Sequence, residues 1–328
     1  MGFLKGHPFR FDCARVPGLR AGGLLILLAA FGGAPSSAAS LRPLPLDYAT
    51  RKAVAYSPFR RANRDAETIT AAMVKQDLDL LVAGDFRLIR LFDSSDQVAR
   101  LVLQVIHDHT LDLKVQLGIS ISANHGFNRA EIARAIAQPV TTDDNWAFFA
   151  SAPSEVLKTL DFVSLHSYPL LDSIHDPTSW DWQQAAVAAD ARAAAMMDAA
   201  LGKVRKDYAA ARAHLDGLGW GLLPIVIGET GWKAVATGGE TQRAHPVNQE
   251  MHLDRLEAWR ASADGPRTIF TFEAFDEPWK AGDDGWGLFT VNRKARCAIR
   301  GRYPASTWEP GSCSTTDAVH YHRSGRSP

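Results

Sequence analysis

The chain has 328 residues, 36 basic and 36 acidic side chains, and is 46% hydrophobic. A formal charge of zero, with no basic run interleaved with aromatics, excludes the electrostatic footprint of a nucleic-acid or acidic-membrane binder. The length is ample for one large core, and the nine tryptophans serve equally as core filling or as platforms for sugar rings.

At the N-terminus, Lys5, Arg10, Arg15 and Arg20 precede a compact apolar stretch from Leu24 to Phe31, and Ser37-Ala38-Ala39 offers small residues for cleavage. This is the pattern of an export signal, and the apolar part is short for a membrane-spanning helix. Residues 1–39 are expected to be a signal peptide cleaved near Ala38 or Ala39. The alternative, given the long lead, is an uncleaved N-terminal anchor, which would be the only link to a membrane. Either reading makes the protein exported, periplasmic or extracellular. A domain is expected over 41–310 and a loose polar tail over 314–328. Cys13 falls in the signal segment. Cys297 and Cys313 remain as a pair able to close a disulfide in an oxidising compartment, the alternative being two free thiols.

Short apolar runs then alternate with helical patterns. Strands are expected at Ala53–Pro58, Arg87–Asp93, Lys114–Ile119, Pro139–Asn145, Asp161–Tyr168, Ile225–Glu229 and Thr268–Glu273. Between them, Asp65 opens a helix carrying Ile69, Met73 and Leu80, Val98–His107 forms the next, and Glu131–Ala137 is a short one. An alanine-rich helix covers most of Trp182–Leu215, and another surrounds Met251–Trp259. The alternation predicts an α/β (β/α)₈ TIM-barrel-like fold. A doubly wound sheet is the rival, but no glycine-rich phosphate turn follows the first strand. Only seven strands are recognisable, so one strand-helix unit is expected to be missing. The place for it is between Ile119 and Pro139, near Ile136-Ala137-Gln138.

Five strand ends carry polar groups: Asp93; Asp143 with Asp144; His166 with Tyr168; Glu229; and Glu273 through Lys280. On one barrel mouth they would form an acidic, aromatic-lined cleft suited to glycoside chemistry, in which one carboxylate attacks and another protonates the leaving oxygen. No HExxH or Cys/His metal spacing appears, no G-x-S-x-G nucleophile elbow appears, and no cofactor is implied. His107-Asp108-His109 and His320-Tyr321-His322 read as solvated.

Three segments carry a family resemblance: Ile227-Gly228-Glu229-Thr230-Gly231-Trp232, Phe272-Glu273-Ala274-Phe275-Asp276-Glu277-Pro278-Trp279-Lys280 and Gly285-Trp286-Gly287-Leu288-Phe289. They resemble glycoside hydrolase family 17, the β-1,3-glucanases and related β-glucan transglycosylases, in its bacterial branch. The resemblance implies a (β/α)₈ barrel, retaining chemistry on β-glucan and Glu229 as nucleophile. It further implies that Glu277 and Lys280 line the cleft and that Tyr56, Tyr168, Trp232 and Trp286 are aromatics near the sugar. Asp93 and Asp144 would be cleft-wall carboxylates. The family's general acid, a Glu after an Asn at the end of the fourth strand, has no counterpart here; Asn248-Gln249-Glu250 lies in a helix pattern. The expectation is therefore a β-glucan-acting hydrolase or transglycosylase with impaired turnover, the alternative being a non-catalytic glucan-binding protein.

Overall fold

A computed structural model describes residues 41–314, apart from 93, 120–122, 136–137, 239 and 241–242. The expectations for the export signal, Asp93, the Ile136-Ala137 join and the tail beyond Ser314 lie outside the described residues. All seven expected strands form: β1 Lys52–Ala55, β2 Phe86–Arg90, β3 Lys114–Gln116, β4 Asp143–Asn145, β5 Val163–His166, β6 Ile225–Thr230 and β7 Ile269–Thr271. The helices are α1 Ala71–Ala83, α2 Leu101–Asp108, α3 His125–Ala135, α4 Trp146–Phe149, α5 Ser154–Leu157, α6 Pro169–His175, α7 Arg192–Gly217 and α8 Pro246–Ala261.

Two helix starts differ from expectation. Asp65 sits in a 3₁₀ turn, and α1 begins after Thr70, whose hydroxyl accepts the Met73 N–H at 3.3 Å, the usual way to satisfy a free helix-end donor. The long helix begins at Arg192 rather than Trp182. The residues before it turn around Asp181, which accepts the Gln184 N–H.

Every strand pair is parallel, in the order β3-β2-β1-β7-β6-β5-β4. Among the described residues no ladder joins β3 to β4. The sheet is nevertheless strongly curled. Laid flat, β2 and β6 would be about 14 Å apart and β2 and β4 about 24 Å, at roughly 4.8 Å per strand. Yet Arg90 of β2 reaches the Gly228 carbonyl at 3.1 Å and Asp143 of β4 at 3.3 Å.

Pleat alternation fills the interior in layers. Ala53, Leu88, Val226 and Phe270 point inward at the lower end, closed by Tyr48 and Phe162. The outward residues Val54 and Ile89 pack under α1 and α2, and Val163, Leu165 and Ile227 pack under α7 and α8. Strands β6 and β7 approach so closely that a Cβ on Gly231 would lie 2.1 Å from the Phe272 carbonyl oxygen. Gly231→Ala is therefore expected to destabilise by about 1–3 kcal/mol, as over-packing does, read as a lower urea midpoint at an unchanged slope.

The segment after β7 folds back over α1 and α8. Arg293 grips the fully buried Asp77 of α1 through both carboxylate oxygens at 2.8 and 2.7 Å. Cys297 and Cys313 are joined by a disulfide across a Cα–Cα distance of 5.0 Å.

Candidate active site

The carboxylate of Glu229 stands at the carboxyl end of β6, where a parallel barrel presents its chemistry. It is held from two strands, β2 and β5, and from Tyr168 just beyond β5. The Tyr168 hydroxyl donates to Oε2 at 2.7 Å, Arg90 donates to Oε1, and His166 Nδ1 lies 3.4 Å from Oε2. The imidazole has its Nε2 3.6 Å from Asp143 Oδ1, so it stands between two carboxylates, at a distance longer than a hydrogen bond from the second. Arg90 also faces both acids, through Nη1 and Nε respectively. Burial pushes the Asp143 carboxyl up, but His166 and Arg90 outweigh it and hold the group below its usual range. Burial, reinforced by the charge of Glu229, pushes Tyr168 well up, so its phenol keeps its proton.

A second charged group adjoins the first. Lys280 Nζ is 2.7 Å from Glu273 and 2.5 Å from Glu277. Both acids are only 1% exposed. Burial first, then the Glu277 charge, push Glu273 well up, against the opposing pull of Lys280. Lys280 also sits 4.2 Å above the Phe272 ring. That ring meets Tyr168 and Trp286 edge-on, at 5.7 Å in each case, forming an aromatic wall, and the charge of Glu273 still reaches Tyr168.

The expected site residues divide on these distances. Glu229 and Tyr168 are together, and Glu277 and Lys280 pair with each other beside the Phe272 ring. Asp144 is exposed and its carboxylate accepts from the backbone of Asn145; its neighbour Asp143 points inward instead, since successive strand residues face opposite ways. Tyr56 is 1% exposed, with its hydroxyl on Asp77 at 3.2 Å and its ring against Phe275. Trp232 and Trp286 are each 1% exposed. Their indole N–H groups are engaged by the Arg243 carbonyl and by Asp283, so they are wall rather than surface. Asp276 does not face the cluster either: Arg296 holds both its oxygens, at 2.8 and 2.6 Å.

Arg90 is the residue that sequence reasoning passes over; Asp143 stands among the expected polar strand ends, but the expected cleft-wall carboxylate is its neighbour Asp144. The signal for Arg90 was a cation inside an otherwise apolar strand, which demands a buried partner.

No family model matches the chain. A glucan 1,3-beta-glucosidase from Arthroderma benhamiae is 36% identical over 88 residues, 22% of this chain, and the chain spans about a quarter (26%) of that relative's length. Among solved structures, the endo-laminarinase from Formosa Hel1_33_131 superposes with a TM-score of 0.71 at 19% identity, covering 83% of this chain and 94% of that one. An active-site mutant of the Rhizomucor miehei β-1,3-glucanosyltransferase in complex with laminaritriose gives 0.54 at 16% identity, over 77% and 97% of the two chains. The glycoside hydrolase family 17 β-1,3-glucanosyltransferase from the same organism gives 0.51 at 17% identity, over 77% and 97%. The chain therefore shares the parallel-stranded, barrel-like fold of these solved proteins, and among its described residues the sheet has seven strands with no ladder between β3 and β4.

Proposed function

We propose that this chain is an exported, β-glucan-acting protein of the retaining glycoside hydrolase type, with Glu229 as the attacking carboxylate. One observation carries the reading: a nearly buried carboxylate at the end of β6, oriented by a phenol at 2.7 Å and a guanidinium. A carboxylate so held is a fixed nucleophile, and a sugar lying against Tyr168 would meet its Oε2. The disulfide supports an oxidising compartment. Among the described residues, no helix is long and apolar enough to cross a membrane.

Departure of the aglycone is the weak step. A retaining pair works at about 5–5.5 Å, and the inward carboxylate beside Glu229 is Asp143, held low and hence ionised near neutrality. Glu273 keeps its proton more readily, but it is buried and paired to Lys280. Losing general acid catalysis costs about 10²–10⁴-fold in rate. Turnover of laminari-oligosaccharides by the mature protein is accordingly expected to be slow.

A 2-deoxy-2-fluoro-glucosyl fluoride needs little help from an acid. It is expected to add one fluoroglucosyl mass to the peptide bearing Glu229, and Glu229→Gln should take up none. A folded wild-type protein that binds laminarin without label or turnover would overturn the nucleophile assignment. It would support the second reading, a glucan-binding protein without catalysis. That reading is favoured by one fact: both Glu229 oxygens are already engaged and its side chain is only 11% exposed.

A further inference from the structure

Away from the carboxylate cluster, the C-terminal segment is stapled beside α8. Cys297 Sγ lies 3.1 Å from Glu250 Oε2. One ligating atom each from Glu250, Cys297 and Cys313 fall within 4.8 Å of one another. A disulfide sulfur carries no hydrogen, so a hydrogen bond in this contact has to come from the carboxyl group. Cys297 is buried and Cys313 only partly so, which leaves one sulfur open to a reductant.

We propose that reduction converts this staple into a zinc(II) site whose ligands are Cys297, Cys313 and Glu250. A dithiol reductant delivers two electrons and two protons to the S–S bond and is itself oxidised to a disulfide. Two thiols result. Zinc then displaces a proton from each thiol, and from Glu250 where it carries one, and water fills the fourth position. Bonds of about 2.3 Å to sulfur and 2.0–2.2 Å to oxygen place tetrahedral ligands roughly 3.3–3.8 Å apart. Cys297 Sγ and Glu250 Oε2, at 3.1 Å, lie close to that spacing, all three atoms fall within 4.8 Å, and the two sulfurs have to part. Two thiolates with one carboxylate suit zinc rather than calcium or magnesium, which take sets of oxygen ligands. The metal would link the same two elements that the disulfide links. Gln249, next to Glu250, donates to the Trp232 and Trp286 carbonyls at 3.0 and 2.8 Å, so the staple's state bears on the wall behind Glu229. The inference stands without any assumption about catalysis.

The test uses the mature chain in three forms: oxidised, reduced and freed of dithiol under argon, and reduced Glu250→Gln. Each is titrated with zinc against a chromophoric chelator, and with cobalt(II), whose thiolate charge-transfer band reports sulfur ligation. The reduced protein is expected to take up one zinc, to show the cobalt–thiolate band, and to regain the thermal midpoint lost on reduction. The oxidised protein, which keeps every histidine of the tail, should do none of these, and Glu250→Gln should bind about tenfold or more weakly. Zinc binding equal in the oxidised and reduced forms overturns the proposal, as does undiminished affinity in Glu250→Gln. If the reduced chain unfolds and zinc does not refold it, the proposal also fails.

Discussion

Arg90→Met is expected to cost about 3–5 kcal/mol of folding stability near pH 7, the usual penalty for stranding one side of a buried charge pair. Its guanidinium is the one cation seen facing both Glu229 and Asp143, and Arg90 is only 6% exposed. The lower end of that range applies, because the Asp143 side chain is 26% exposed and partly hydrated. The sign with pH follows from Asp143. Its folded pKa is depressed below the ordinary 3.8 of an aspartate. Its contribution is therefore full above the unfolded pKa and is lost as pH falls through the folded one. The gap between wild type and Arg90→Met in urea unfolding should shrink as pH falls toward and below 3.8. A second cycle, with Glu229→Gln added, should recover a measurable part of the loss, since contacting groups couple by about 0.5–3 kcal/mol. A gap that is the same at pH 3.5 and pH 7, with additive double variants, would remove Arg90 from the centre of this network.

Lys280→Met is the other large effect. It leaves Glu273 and Glu277, both with side chains 2% exposed, facing each other without a cation. The expected cost is again about 3–5 kcal/mol at neutral pH, but with the opposite pH dependence. Glu273 already has its folded pKa raised above the ordinary 4.5 of a glutamate by burial and by Glu277. A raised acid contributes stability that is present below the unfolded pKa and is lost as pH rises through the folded value. Without Lys280 the opposing pull on Glu273 is gone and its carboxyl is pushed further up, so the thermal midpoint of the variant should fall steadily as pH rises from about 5 to 8. Wild type should change less over the same range. A variant whose midpoint rises with pH would show that the lysine is not what compensates these carboxylates.

The fold was largely legible because β1, β2, β5, β6 and β7 are short, mostly buried runs rich in apolar residues, and such runs stand out without any periodicity. The interruption before Pro139 was visible for the same reason, as a stretch with no such run. Glu229 was legible because an apolar strand stops at a carboxylate flanked by glycines. What the sequence hides is phase and depth. Asp143 and Asp144 are adjacent acids in a three-residue strand, and nothing short of the pairing with β5 fixes which of them faces inward. Trp232 and Trp286 have the residue type of a sugar platform, but their depth depends on α8 and the returning C-terminal segment. Arg90 sits where a strand-end cation would ordinarily be solvated. Only the curl of the sheet brings it to acids two and four strands beyond its nearest neighbour, β1.

Among the described residues, β3 and β4 are the two margins of the sheet, each only three residues long. One margin begins at the exposed Lys114; the other ends in Asp144 and Asn145, both exposed to solvent. Short, charged borders offer a neighbouring copy little backbone to zip against. A barrel can thus lose a stave without becoming a template for fibres, provided the new borders stay short and polar.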